Sequence, residues 1–226
     1  MSVWDAVGQG FKACLQNWRA IGVWLLLSVP LAPLLVFPPL TLFWAVWLSY
    51  VLAQRSTGQP TSLAAGAAAT ARRIPSVALC GLIVAGVGLF VSLLFSVPLI
   101  GLPATLYLTA RVFVLPTVLA LEGRSGWGSL KRAWGITSSD QGWCLLLVLV
   151  FLSLFLIGSL LWGLSVGAGV VAIVSGGPTA LLATISLICA AAAAALVLVL
   201  LPLAVATQTS AYRRLQALDD IGRSVM

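Results

Sequence analysis

Apolar residues fill this chain in long runs, and polar segments interrupt them at recurring intervals. The opening segment is different. Between residues 2 and 18, Val3/Trp4, Val7, Phe11, Cys14/Leu15 and Trp18 recur at three- and four-residue steps, with Asp5, Gln9, Lys12, Gln16 and Asn17 between them. That period predicts an amphipathic helix with an aromatic apolar face, which either lies in the membrane interface or packs beneath a bundle.

From Ile21 to Ala53 the chain is almost unbroken apolar sequence. About 20 residues cross the hydrocarbon core, so one helix would be too long. Pro38-Pro39 lacks two backbone donors and divides the run into span 1, 20–37, and span 2, 39–54. Pro30 and Pro33 should kink the first, and a re-entrant hairpin is the alternative. The segment Gln54 to Pro75 is polar or small, with a weak helical stripe at Leu63, Ala67, Ala71 and Ile74. Span 3 follows at 76–97, a turn at Pro98, Gly101 and Pro103, and span 4 at 102–121. Next, Trp127, Leu130, Trp134 and Thr137 fall on one side of a short basic helix, beside Lys131 and Arg132. Span 5, 143–174, exceeds one bilayer and must tilt, protrude or loosen around Gly163, Gly167 and Gly169. Ser175 to Pro178 turns the chain, span 6 covers 180–207, and a polar tail begins at Gln208.

The fold class expected is all-α: a polytopic membrane helical bundle of six transmembrane helices, with short amphipathic surface helices before spans 1, 3 and 5. Residues 1–226 form a single integral membrane domain, within which 2–54, 60–121 and 126–207 each read as a surface segment followed by a helical hairpin. Residue identity between these units is poor, and hairpins of similar length would give similar spacing without duplication. Composition agrees with lipid as the solvent. Only 8% of the 226 residues are charged, against about 25% in soluble domains.

Charge adds topology. The chain carries 12 Lys+Arg against 5 Asp+Glu. Lys12 and Arg19 precede span 1, and Arg55, Arg72 and Arg73 occupy the second connection. Arg124, Lys131 and Arg132 occupy the fourth, and Arg213, Arg214 and Arg223 the tail. The odd-numbered connections carry none, so six spans would put eleven of the twelve cations on one side. By the positive-inside rule both termini are then cytoplasmic. The partner implied by this excess is the anionic headgroup layer of membrane lipids. Nucleic acid is excluded, because no soluble domain carries a basic stacking face. The N-terminus has no h-region between its charged residues, so the first span is expected to remain in the mature protein.

Candidate chemistry is sparse. The chain has no histidine, which removes His-ligated haem, HExxH zinc and Ser-His or Cys-His catalysis. Cys14, Cys80, Cys144 and Cys189 have no metal or redox spacing. No acid lies inside a span, so no proton relay, catalytic residue, cofactor or metal is expected. Arg111 is the one charge inside a span. Counting back from Glu122 places it roughly 16 Å deep at about 1.5 Å per residue. An arginine there costs from about 2.5 to as much as about 17 kcal/mol unless something pairs it. It either snorkels as a structural residue or meets an anionic headgroup or substrate; Arg111, Tyr107, Lys131, Arg132 and Trp134 are the candidate ligand or headgroup contacts. Thr105, Thr109 and carbonyls freed by Pro116 or Pro202 are further partners for the guanidinium. Glu122 is expected to pair with Arg124, Lys131 or Arg132, or to cap the following helix. Gly163 and Gly167, with the small run containing Ala191 and Ala194, are expected to pack spans 5 and 6 together or to make a homo-oligomer.

The pattern Arg111, Pro116, Leu121-Glu122, then Ser129-Leu130-Lys131-Arg132-Ala133-Trp134, Thr137 and Trp143, resembles a bacterial family of six-span membrane proteins of mostly unknown function. That family includes the membrane domain fused to some glycerophosphodiester phosphodiesterases and the YciC-like inner-membrane proteins. The ending Ala211-Tyr212-Arg213-Arg214 is similar to theirs, although theirs is often more acidic. The resemblance implies a bacterial cytoplasmic (inner) membrane location and no catalytic residues. The function expected is a non-catalytic scaffold, regulatory or accessory subunit of a membrane assembly that interacts with lipid. A small-solute transporter, or its membrane-embedded binding subunit using Arg111, is the alternative.

Overall fold

A capping box starts the first helix. Ser2 accepts from the Asp5 amide at 3.1 Å, and the Asp5 carboxylate accepts from the Ser2 amide at 2.7 Å, so two orphan donors are satisfied. The same bond to the Ser2 backbone holds the Asp5 carboxyl below its usual range. The computed structural model describes residues 2–28, 38–59, 61–94, 98–174 and 180–224, and every regular element among them is an α-helix. In order these are α1 (Val3–Gln16), α2 (Trp18–Ser28), α3 (Pro38–Ser56), α4 (Leu63–Ala71) and α5 (Ile74–Leu94). They continue with α6 (Pro98–Val112), α7 (Leu115–Leu121), α8 (Gly126–Ser138), α9 (Gln141–Val174) and α10 (Ala180–Ser224).

Among the described residues three helices are long and apolar enough to cross a membrane: Pro103–Leu121, Gln141–Val171 and Leu181–Ile221. A fourth forms if Leu63–Ala71 and Ile74–Phe90, bent by 74°, count as one broken span. The first expected hairpin does not reach that standard. Its described pieces are the 11-residue α2 and the 19-residue α3, and α3 ends on Gln54, Arg55 and Ser56. Pro30, Pro33 and the turn at 175–178 lie outside the described residues. The polar tail is helical: α10 continues past Gln208 to Ser224, with Pro202 inside it. Likewise α9 runs unbroken through Gly163, Gly167 and Gly169.

The chain forms two compact units, Met1–Val148 with Leu203–Met226, and Leu149–Pro202. In the larger one, Ile21, Trp24, Trp44, Trp47, Leu48 and Val51 cluster with Val205 and Ala206. Trp24 meets Trp44 edge-on at 5.8 Å, and the Trp47 indole donates to the Leu63 carbonyl at 2.8 Å. A buried indole needs such a partner, and this one ties α3 to α4. All of α7 from Leu115 to Ala120 is buried.

The three short helices dock in the same way. Each opens on an N-cap serine, Ser2, Ser62 or Ser125, whose side chain accepts an amide three residues on. Four and eight positions after each cap sits a small buried residue: Ala6 and Gly10, Gly66 and Thr70, Ser129 and Ala133. Close approach demands it. A Cβ on Gly10 would stand 2.4 Å from Thr207 Oγ1, and one on Gly66 would stand 2.5 Å from Val51 Cγ2.

With Ala6 and Gly10 facing protein, α1 turns Trp4, Phe11 and Leu15 outward, and Trp18 opens α2; all four are more than half exposed. Asp5, Gln9, Lys12 and Gln16 occupy the third side. A helix with separate protein, apolar and polar sides suits a membrane interface better than a site beneath the bundle.

In the smaller unit α9 and α10 join through a reciprocal pair. Ser165 Oγ donates to the Ser186 carbonyl and Ser186 Oγ to the Ser165 carbonyl, both at 2.8 Å. Gly158 and Gly169 lie on the same seam, close to Leu196 and Ser186. Gly163 and Gly167 do not: both are exposed, with nothing near their Cβ positions. Ala191 and Ala194 are exposed as well, whereas Ala193 is buried. The seam uses the face of α9 that carries Ser165, because a buried hydroxyl in lipid needs a partner across the helices.

Candidate functional site

Arg111 lies at the end of α6, where the helix breaks before Pro116. Its guanidinium sits 5.1 Å from the Tyr107 ring and 5.3 Å from the Trp134 ring. The two rings meet edge to face at 5.9 Å. Nη2 donates to Gln141 Oε1 at 3.0 Å and Nη1 donates weakly to the Trp134 carbonyl at 3.5 Å. Nε is buried without a hydrogen-bond partner, and the residue is 9% exposed. Among the described residues no carboxylate forms an ion pair with it.

The partners differ from those expected. Tyr107 offers its ring rather than its hydroxyl, and Thr105 spends its hydroxyl on the Gly101 carbonyl at 2.8 Å. From the middle of the apolar stretch Pro103–Leu121, the guanidinium therefore reaches the C-terminal turn of α8 and the first residue of α9. Trp134 and Trp127 face outward as the spacing predicts, but Thr137 does not share their side. It is buried, its hydroxyl 2.9 Å from the Ala133 carbonyl and 3.2 Å from the Arg111 carbonyl.

One turn away, Arg132 points into a second cluster. It donates to Glu122 Oε1 at 3.2 Å and to Asp219 Oδ2 at 2.6 Å. Tyr212 donates to the same Glu122 oxygen at 2.9 Å, and Arg124 pairs with Oε2 at 2.7 Å, off the line of a hydrogen bond. Burial pulls the Arg132 guanidinium pKa down, and the bonds to Asp219 and Glu122 more than offset it. Nearby, Arg214 bonds Asp140 at 2.7 Å and lies 4.2 Å over the Trp143 ring. Glu122 thus pairs with two of its three expected cations, and Lys131 is left exposed with no partner among the described residues.

No family model, curated protein or solved structure matches this chain.

Other arginines hold helix ends. Arg73 donates to the Leu119 carbonyl in the last turn of α7, and Arg213 to the Ala53 carbonyl and Ser56 hydroxyl at the end of α3. Cations suit those positions, where carbonyls lack intrahelical partners. Arg55 bonds the Thr61 carbonyl and Asn17. Burial pushes the Cys14 thiol up to about 11, away from nucleophile chemistry.

A cleft of about 220 Å³ opens between α5, α6 and α8, beside the Arg111 clamp. Val84, Val87, Thr105, Leu108, Leu130 and Trp134 line it with four neighbours, and the only polar side chains among the ten, apart from the indole, are Thr105 and Thr109. Trp134 is common to both, walling the cleft and stacking on Arg111.

Sequence reasoning missed Gln141, Asp219 and Tyr212 as partners. Tyr212 and Asp219 are seven residues apart, two turns on one helix face, and only a helical tail brings them to Glu122 and Arg132.

Proposed function

We propose that this chain is a non-catalytic multi-pass membrane protein of the bacterial cytoplasmic membrane, a scaffold, regulatory or accessory subunit whose basic, aromatic face engages anionic lipid. The observation that carries this reading is how the charges are used. Four of the five acids are committed internally: Asp5 to a helix cap, Glu122 and Asp219 to Arg132, and Asp140 to Arg214. Lys12, Arg19, Arg72 and Lys131 remain exposed without carboxylate partners among the described residues, and Trp4, Trp18, Trp127 and Trp134 are exposed in the same helices or beside them. Exposed cations interleaved with tryptophan suit a headgroup layer. The resemblance to the six-span bacterial family supports the same location.

Transport has less support. A solute path through Arg111 needs the guanidinium open to water, and here two rings cover it.

We place six spans and both termini on the cytoplasmic side, because that topology puts the cationic connections together. In a cysteine-free background, Thr57→Cys should react with a membrane-impermeant maleimide only after the inner face is opened, and Gly177→Cys in intact cells. The reverse pattern at either position would reject the topology. Purification from native membrane, followed by mass spectrometry of retained lipid and protein, tests the function. Retention of anionic phospholipid above its membrane abundance is expected, together with a stoichiometric membrane partner. Bulk-like lipid with no partner would reject the reading.

A further inference from the structure

We infer that the cleft between α5, α6 and α8 seats one acyl chain of an anionic phospholipid whose phosphate lies against Lys131 and Trp134. This rests on the lipid-engaging reading above and assigns it a place.

The chemistry of the cleft selects the chain. Its lining is apolar apart from two threonines and the Trp134 indole, and one of those threonines already bonds the Gly101 carbonyl. An apolar cavity offers water too few partners to be stably hydrated. At about 220 Å³ it falls below the roughly 300–1,000 Å³ of sites that enclose a whole small molecule. A flexible chain entering from the side needs no such enclosure. The flanking surface is itself apolar and exposed at Leu82, Leu89 and Phe90, which is where a neighbouring lipid would lie.

Charge complementarity selects the headgroup. Leu130 and Trp134 place one edge of the cleft on α8, and Lys131 is on that helix between them, exposed and unpaired among the described residues. Behind Trp134 stands Arg111, a second positive charge without a carboxylate. The indole lies between chain site and cation, an arrangement in which an amphipathic ring meets acyl chain on one side and polar groups on the other. A phosphate there would supply the anion that the protein does not. A zwitterionic headgroup, carrying its own cation, would meet Lys131 less favourably.

The test uses the full-length protein in nanodiscs containing phosphatidylglycerol or phosphatidylcholine with a diazirine near the end of one acyl chain. Photolysis and peptide mapping then locate the adducts. Adducts should concentrate on residues 83–88 and 105–112, several-fold above those on the exposed face of α9, and more with phosphatidylglycerol. Gly88→Phe should remove them, since a side chain at Gly88 meets no neighbour within 4 Å and projects from the cleft lining. An unchanged melting temperature shows that variant to be folded. Lys131→Gln should keep the cleft adducts but equalise the two lipids. Even labelling over all apolar helices, or cleft labelling indifferent to Gly88→Phe, would overturn the site. Equal labelling by both lipids in the wild type would overturn the anionic headgroup. If phosphatidylglycerol co-purifies yet labels elsewhere, the cleft assignment fails while the broader function stands; if none is retained, both fail.

Discussion

Arg132→Met should destabilise the protein by about 3–5 kcal/mol, the cost of stranding buried charge. The Arg132 guanidinium bridges Glu122 on one side and Asp219 on the other, with side-chain exposures of 11%, 13% and 18%. Removing it leaves two carboxylates, well shielded from water, to repel each other. Tyr212 still donates to Glu122, and Arg124 still pairs with it, but Arg124 is 54% exposed and such pairs contribute little. Arg132→Lys keeps a charge and loses the fork that reaches both acids, so it should fall between wild type and Met. The triple replacement Glu122→Gln, Arg132→Met, Asp219→Asn should regain most of the loss, because no unpaired charge remains. Melting in detergent, followed by tryptophan fluorescence, ranks the four proteins. If Arg132→Met melts with the wild type, the bridge does not hold α7, α8 and the end of α10 together.

That bridge also shows where the sequence stops being readable. The apolar helices Gln141–Val171 and Leu181–Ile221 were legible because apolar runs of that length leave few alternatives to a membrane-crossing helix. The side of α1 that carries Trp4, Phe11 and Leu15 was legible for a similar reason: large apolar residues at helical period mark a face. The end of α10 was not, since hydropathy falls at Gln208 while the helix does not. Small residues misled in both directions. Gly163 and Gly167 carry a familiar spacing and face outward, whereas Gly10, Gly66 and Ala133, which dock the short helices, share no motif beyond small size and a place four or eight residues after a cap serine. Docking by close approach asks only that nothing larger be present, and that requirement leaves little trace in one sequence. Around Arg111, Tyr107 was expected to offer its hydroxyl and offers its ring, while Trp134, expected only as a headgroup contact, also lays its ring against the guanidinium. Spacing says that a ring is near, and the fold decides whether its face or its hydroxyl meets the cation.

Arg111→Leu should lower stability by about 1–3 kcal/mol, the usual cost of leaving buried polar groups unpaired. Gln141 Oε1 and the Trp134 carbonyl lose their donor, and the rings of Tyr107 and Trp134 lose the cation between them. Two stacked contacts in a desolvated place contribute from about 0.5 to 2 kcal/mol each. Against this, leucine no longer carries a charge that no carboxylate offsets, which limits the loss and keeps it below that at Arg132. Arg111→Lys retains the charge and the ring contacts but cannot reach Gln141 and the α8 carbonyl together, so it should lie between the two. Anionic lipid separates position from charge. Phosphatidylglycerol should raise the melting temperature of wild type and Arg111→Lys alike, and the rise should shrink in Arg111→Leu, which has lost the positive field behind Trp134. An Arg111→Leu protein as stable as wild type without lipid would show that the clamp does no more than offset the burial of its own charge.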